Sequence, residues 1–346
     1  MKPKVSIIIP VYNGEKTVRE SLESVLTQSL REIEVLCIND GSTDGTAAVL
    51  REMAAGDSRV RLYGFEKNHG IVLAVKTGLL EARGDYVMFV DADDILLPGA
   101  IENAVRLIEQ YDVDILQFAI RVKHPKGANI GAFMKSLQCL PMESSGAKIL
   151  YDCFCMHRFP HNVYTKIYRS SVCRTAAENM PDIELKQFTD LYLSFFFLYF
   201  AKTFRSVVEG PYYEYRFLGA GVFSAPPTAL QFEQMCATSE ILPLIEEFLR
   251  DRHEYAARKF LVDSIGVILR CGVLDKLMGL PEITAETIKL AEEHWGSDLI
   301  YEFIRETGLL DVPCETRRGI VTKLAGENRK LRNNQTTITI SNTKGI

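Results

Sequence analysis

The sequence has little of what marks several common protein classes. Its eight cysteines are scattered and include no C-x-x-C pair, which argues against a zinc site or a disulfide framework. Its most apolar stretch, residues 191–201, is well short of the roughly 20 residues that a membrane-spanning helix needs. No apolar signal segment separates Met1–Lys4 from the first predicted strand. We therefore expect a cytoplasmic protein with reduced thiols that does not span a membrane.

An excess of positive charge is also absent. Lysine and arginine number 40 against 45 aspartates and glutamates, which gives a formal net charge of −5. Such a chain has no overall basic field to hold a nucleic-acid backbone, so we expect no nucleic-acid partner. Hydrophobic residues make up 47% of the 346 residues, which is enough for a large core and excludes disorder over most of the chain.

The first 118 residues alternate short β-branched runs with helical patterns. The predicted strands are 5–11, 33–38, 60–65, 85–90 and 114–118, and the predicted helices are 18–30, 44–55, 71–82 and 99–110. Ser42 or Thr43 is expected to cap the second helix. This alternation predicts an α/β fold, with a mostly parallel, Rossmann-like sheet covered by helices on both faces.

The pattern changes after residue 118. Residues 120–145 are predicted as a long surface loop, and later segments give a strand pattern at 163–168, a helix at 190–201 and strand candidates at 206–208 and 212–217. Pro226-Pro227 marks a boundary, after which the pattern is helical. The predicted domains are 1–225, with halves 1–118 and 119–225, then a helical C-terminal domain 226–322 and a polar basic tail 323–346.

Polar residues follow four of the predicted strands. These segments are Tyr12–Gly14, Asn39–Gly45, Asn68–Gly70 and Asp91–Asp94. In open α/β sheets ligands bind outside the carboxyl ends of the strands, so we expect these four segments to line one site.

Three segments occur together in a recognisable order and spacing. They are residues 5–13 (VSIIIPVYN), 39–46 (NDGSTDGT) and 84–94 (GDYVMFVDADD). Over residues 4–225 or so the chain resembles the family 2 glycosyltransferases of the GT-A fold. The resemblance implies transfer of a sugar from a nucleotide-diphospho-sugar donor, with uridine expected, to a hydroxyl of a glycan or lipid-linked glycan, with inversion.

Asp91 and Asp93 match the Asp-x-Asp motif of this family, which implies that they hold Mn²⁺ or Mg²⁺ beside the donor diphosphate. The chemistry agrees, because carboxylates suit hard divalent cations and neighbouring acids repel one another without a cation. An alternative left open is a solvated acidic turn that caps the next helix. Of the acids in this turn, Asp94 is the one most readily interpreted as structural.

The resemblance also implies a set of residues that bind the nucleotide-sugar. Asp40 is expected to read the base or ribose, Tyr12 to lie against the base, and Lys76 and Arg216 to face phosphate. Lys76 as a solvated helix-face lysine, and Arg216 as a packing residue, are left open. The full predicted set is Pro10, Tyr12, Asn13, Asp40, Lys76, Asp91, Ala92 and Arg216.

Asp190 occupies the position of the family's catalytic base, at the start of an apolar helix. Thr189 stands where the family has a preceding acid, so the partner that would tune Asp190 is not identified, and an N-cap role for either residue is the alternative. Thr189, together with Val75 in place of the family's arginine, motivates a second hypothesis. In that hypothesis the chain is a catalytically weak or inactive nucleotide-sugar-binding protein.

Two later segments also resemble parts of the family that border the active site, around Lys166 and around Arg216. At the far end of the chain the tail gathers Lys323, Arg329, Lys330 and Arg332. A basic stretch of this kind attracts an anionic membrane surface, so peripheral contact with the inner face of the cell membrane is a hypothesis, with a solvated tail as the alternative.

Overall fold

The structure is a computed structural model that describes residues 2–125, 134, 137–217 and 227–296. The chain divides into two compact units. The first comprises Met1–Gly221 and Leu244–Ile265, and the second comprises Val222–Pro243 and Gly266–Ile346. The domain boundaries expected from the sequence stay predictions. The basic tail and its membrane hypothesis lie outside the described residues.

The first unit contains an eight-stranded sheet and a three-stranded sheet. Their strands are β1 Val5–Val11, β2 Ile33–Asp40, β3 Val60–Phe65, β4 Tyr86–Phe89, β5 Ile95–Leu96, β6 Ile115–Gln117, β7 Ile120–Lys123, β8 Met142–Ser145, β9 Lys166–Arg169, β10 Thr203–Ser206 and β11 Tyr213–Arg216. The larger sheet has the order β3-β2-β1-β4-β9-β6-β10-β8, and the smaller has the order β5-β11-β7.

Helices follow most of these strands. The described helices are α1 Val18–Leu26, α2 Thr46–Gly56, α3 Ile71–Glu81, α4 Ala100–Tyr111, α5 Lys148–Leu150, α6 Ser170–Asn179, α7 Thr189–Phe200, α8 Ala229–Cys236, α9 Ile241–Asp251, α10 Tyr255–Gly279 and α11 Ala285–Trp295. A π-helical turn, Tyr151–Cys155, continues α5, and a 3₁₀ turn, Ala237–Glu240, precedes α9.

β1 lies in the middle of the parallel half and has neighbours on both sides. Val5 pairs with Ile33 of β2 and with Tyr86 of β4, both in parallel register. The strand is apolar on both faces because helices cover both of them. On one face Ile7 belongs to the same buried cluster as Leu22 of α1. On the other face Ile8 packs closely on α3, where a Cβ added at Gly78 would lie 2.7 Å from Ile8 Cγ2.

The expected α/β fold is confirmed, and the structure adds two features that the predicted elements did not include. β9 runs antiparallel between β4 and β6, so the fifth predicted strand is not the neighbour of the fourth. The predicted loop 120–145 contains β7 and β8 at its ends. Each of these strands is only four residues long. Ile120–Lys123 does alternate apolar and polar residues, whereas Met142–Ser145 has a single apolar residue and no alternation.

Two local predictions are wrong. Neither Ser42 nor Thr43 caps α2, whose N-cap is Gly45 without a side-chain cap. The side chain of Asp44 instead accepts from the Thr46 N–H at 3.0 Å. The strand predicted at 206–208 lies at Thr203–Ser206, because register with β6 pairs Phe204 with Ile115.

Residues 227–296 match the expected helical pattern as far as they are described. In the second unit the α8 and α11 helices each begin with a reciprocal capping box, at Thr228 with Gln231 and at Thr284 with Thr287. The indole N–H of Trp295 donates to the Cys236 carbonyl at 3.2 Å. Within the described part of the chain, no helix combines the length and apolarity needed to cross a bilayer.

Candidate active site

The loop after β1 is tied to the loop after β2. Asn13 adopts a left-handed conformation with φ of 51°, which asparagine tolerates better than most residues. Its N–H donates to Ser42 Oγ at 2.9 Å, and its Oδ1 accepts from the Thr43 N–H at 2.9 Å. The two polar segments therefore form one edge, as expected. Next to them the Tyr12 side chain is 51% exposed, which leaves its ring accessible to a ligand.

Asp40 is buried and holds the next polar loop. Its two carboxylate oxygens accept from the backbone N–H groups of His69 at 2.7 Å and Gly70 at 2.8 Å. Gly70 has φ of 92°, and an added Cβ would lie 2.9 Å from the Leu185 carbonyl oxygen, so this loop passes close to the segment before α7. Asp40 thus fixes the β3–α3 loop, and its role toward a nucleotide stays a prediction.

The acidic turn after β4 is anchored to β11. Asp94 is buried and accepts from the Tyr213 hydroxyl at 2.7 Å and from the Arg216 backbone N–H at 2.7 Å. The same Tyr213 oxygen accepts from the Asp91 N–H at 3.2 Å. Asp94 is therefore a structural residue of this turn. The segment around Arg216 that contains Tyr213 was expected to border the active site, but the contact of Tyr213 with Asp94 was not, because nothing local signals a partner more than a hundred residues away.

Asp91 and Asp93 lie in this turn with unequal exposure, Asp91 half-buried and Asp93 exposed. Burial, together with the charges of Asp94, Asp190 and Asp93, raises the pKa of Asp91 well above its usual value. Partial loss of hydration among the surrounding protein atoms raises the pKa of Asp93 although its side chain reaches solvent, and burial raises the pKa of Asp94 to about 7. A cation bound beside these carboxylates would reduce their mutual repulsion.

A cation here would depend on ligands from outside the protein. Among the residues that the structure describes, no group of three or more histidine, cysteine, aspartate or glutamate side chains is arranged to hold a metal. Asp91 and Asp93 alone would be two protein ligands. Mg²⁺ commonly binds through one or two carboxylates plus substrate phosphates, so the donor set fits a metal that arrives with a diphosphate.

Arg216 is packed against the acidic turn. Its side chain is 9% exposed, its Nε donates to the Asp93 carbonyl at 2.6 Å, and its Nη1 pairs with Glu20 at 2.5 Å. The guanidinium thus holds the backbone of the acidic turn, which is the packing interpretation left open from the sequence. Glu20 carries no sequence signal for this role. A guanidinium has five N–H donors, which is more than the contacts with Asp93 and Glu20 use. Direct phosphate binding by Arg216 stays a prediction.

Lys76 has protein partners in the structure. Its ammonium donates to the Met180 carbonyl at 2.8 Å and pairs with Asp182 at 2.5 Å, and its side chain is 18% exposed. It is therefore neither a freely solvated lysine nor an unpaired cation. Its expected contact with the donor diphosphate stays a prediction.

Asp190 lies in the first turn of α7 but does not cap it. The N-cap is Phe188, and no side chain caps this helix, so the capping alternative for Thr189 and Asp190 is wrong. Burial raises the pKa of Asp190 to about 6, while the charge of Lys166 and a hydrogen bond from the Val163 N–H oppose that rise. Because its charge also raises the pKa of Asp91, Asp190 lies near the acidic turn.

The known proteins whose sequences resemble this chain include glycosyltransferases. The family model "Glycosyl transferase family 2" matches residues 6–180, and the chain belongs to this family. Putative glycosyltransferase EpsH of Bacillus subtilis is 29% identical over 62% of this chain and 61% of its own length. Glycosyltransferase GlyA of Streptococcus pneumoniae is 39% identical over 32% of this chain, which spans 16% of GlyA. The chain thus spans less than two thirds of these relatives.

Solved structures show the fold. Residues 1–349 of S. aureus TarS, in complex with UDP-GlcNAc, match with a TM-score of 0.55 at 19% identity, over 88% of this chain and 92% of that one. The complex of TarS with UDP matches with a TM-score of 0.53 at 21% identity. The α/β architecture expected from the sequence is therefore the GT-A fold of these transferases.

Proposed function

We propose that the chain transfers a hexosyl or N-acetylhexosaminyl group from a UDP-sugar to a hydroxyl of a glycan or lipid-linked glycan, with inversion at the anomeric carbon. Membership of glycosyl transferase family 2 supports the reaction class. The UDP-GlcNAc and UDP bound to TarS support a uridine donor. The observation that carries the proposal is the position of Asp190, a carboxylate of raised pKa beside the acidic turn of Asp91 and Asp93.

Asp190 is the general base in this proposal. Its carboxylate takes the proton of the acceptor hydroxyl while that oxygen forms a bond to the anomeric carbon. The bond from the anomeric carbon to the diphosphate oxygen breaks, and its electron pair leaves with the diphosphate. A pKa of about 6 leaves Asp190 ionised at neutral pH and more basic than an ordinary aspartate.

The acidic turn is the proposed diphosphate side of the site. Asp91 and Asp93 would hold Mn²⁺ or Mg²⁺, which when bound neutralises charge on the leaving diphosphate. Tyr213 and Arg216 position the turn from β11, so the two carboxylates are presented on a fixed backbone. Tyr12, with its exposed ring, is the proposed support for the base.

The test measures release of free UDP from UDP-hexoses and UDP-N-acetylhexosamines, with and without Mn²⁺, in the presence of glycan acceptors. The proposal expects acceptor-stimulated release of UDP that requires the metal. Donor binding by calorimetry without any release would instead support the hypothesis of an inactive nucleotide-sugar-binding protein. Neither binding nor release would contradict both.

A further inference from the structure

A buried lysine holds the loop that precedes β9. Lys166 is 1% exposed, and its Nζ donates to the Pro160 carbonyl at 3.0 Å, to Asn162 Oδ1 at 3.0 Å and to the Asn162 carbonyl. An ammonium has three N–H donors, and each of these has a loop oxygen here. All three donors of the ammonium are therefore used by residues 160–162. We call residues 160–163 the lysine-bound loop.

The lysine-bound loop also contacts the helix that carries the proposed base. The Ser194 hydroxyl donates to the His161 carbonyl, and the backbone N–H of Val163 lies close enough to the Asp190 carboxylate to lower its pKa. Asp190 and Ser194 are four residues apart on α7, so they lie on one face of that helix. The loop is thus bound to Lys166 on one side and to the α7 face on the other.

Further hydrogen bonds fix the loop's orientation. Thr165 Oγ1 donates to Asn162 Oδ1 at 2.8 Å, and the Tyr168 hydroxyl donates to the Val163 carbonyl at 3.1 Å. Because Asn162 Oδ1 accepts from two donors, the orientation of its amide is set.

We propose that Lys166 is the positioning residue of the base: through the lysine-bound loop it fixes the Val163 N–H against the Asp190 carboxylate and places a compensating charge nearby. This inference rests on the proposed function, in which Asp190 is the base. Lys166 is then the partner of Asp190 that the sequence leaves unidentified, because Thr189 stands where the family has an acid. Lys166 touches no reacting atom in this scheme and acts through Asp190.

The electrostatics make the proposal measurable. The titratable groups that interact with Asp190 are Asp91 from the turn after β4, Tyr164, Lys166 and Tyr168 from the β9 region, and Tyr215 from β11. Of this set only Lys166 carries a positive charge, and it lowers the pKa of Asp190. Removing that charge raises the pKa of the base, so the acid limb of the kcat profile moves to higher pH.

The experiment compares Lys166→Met with Ser194→Ala and with Lys148→Met, a control that removes an exposed lysine paired to Asp152. Lys166→Met is expected to lower kcat by about 10² or more, to leave the donor KM within about threefold, and to move the acid limb upward. Ser194→Ala removes only the His161 contact and is expected to lower kcat by a smaller factor, about three- to tenfold. The Lys148→Met control is expected to match the parent.

Hydrogen exchange of a peptide that contains Val163 provides a readout that is independent of activity. Faster exchange in Lys166→Met and in Ser194→Ala supports the positioning role. An unmoved acid limb and unchanged exchange in folded Lys166→Met would overturn it. If Lys166→Met does not fold, Lys166→Gln, which also removes the charge, is measured in its place, and an unmoved acid limb with unchanged exchange in that variant overturns the proposal. Equal transfer by Asp190→Asn and the parent would instead refute the proposed function, and the exchange data would still show whether Lys166 holds the loop.

Discussion

The hydroxyl of Tyr213 provides a quantitative test of how the acidic turn is built. It donates to the buried Asp94 carboxylate at 2.7 Å and accepts from the Asp91 N–H at 3.2 Å. A hydrogen bond to a charged group contributes about 1.5–3 kcal/mol, and a neutral one contributes about 1 kcal/mol. Tyr213→Phe keeps the buried ring, so we expect the free energy of unfolding to fall by about 2.5–4 kcal/mol.

Urea denaturation at pH 8 measures that loss. The matched control is Tyr63→Phe. The Tyr63 hydroxyl donates to Glu81 at 2.8 Å at the surface, so its removal is expected to lower the free energy of unfolding by less than about 1 kcal/mol. Calorimetry adds a second readout, because a loosened Asp91 backbone should weaken metal-dependent donor binding. A Tyr213→Phe variant that is as stable as the Tyr63→Phe control would refute the view that this hydroxyl anchors the turn.

Three further predictions follow from the same site. Asp93→Ala should abolish Mn²⁺-dependent donor binding in calorimetry, and unchanged affinity would contradict the proposed metal ligand. The kcat of the parent should fall as the pH drops through about 6, because the base must be ionised; a profile flat down to pH 5 would exclude Asp190 as that base. Gly41→Ala should lower the free energy of unfolding, measured by urea denaturation, by about 2 kcal/mol or more, because φ at this position is 65° and the new Cβ would lie 2.2 Å from the Lys67 carbonyl carbon. Gly56→Ala is the control, because a Cβ added there has open space around it.

The parts of the fold that the sequence predicted best are the long, continuous apolar strands. β1 matches its predicted range because a β-branched run bounded by polar segments indicates a buried parallel strand. β3 also matches its predicted range, although it is a partly exposed strand at the edge of the sheet. The antiparallel insertion of β9 could not be predicted in the same way. A four-residue strand carries no sign of its direction or of its neighbours, and those are set by tertiary pairing.

The site shows the same division between local and long-range information. Asp91 and Asp93 are two residues apart in sequence and follow a strand, so their proximity could be predicted. The contacts of Arg216 with Glu20 and of Lys166 with the lysine-bound loop depend on how separate elements pack. The roles of Asp40 and Lys76 toward a nucleotide stay predictions, because the structure shows only their protein partners.

The most direct test of the central claim is single-turnover sugar transfer by Asp190→Asn, with donor affinity measured on the same preparation. The account predicts donor affinity within a few-fold of the parent and transfer slower by about 10² or more, as for loss of a general base. The control Asp263→Asn removes an exposed acid that pairs with Lys259 on α10 and should transfer like the parent. Transfer by Asp190→Asn at the parent's rate would contradict the account.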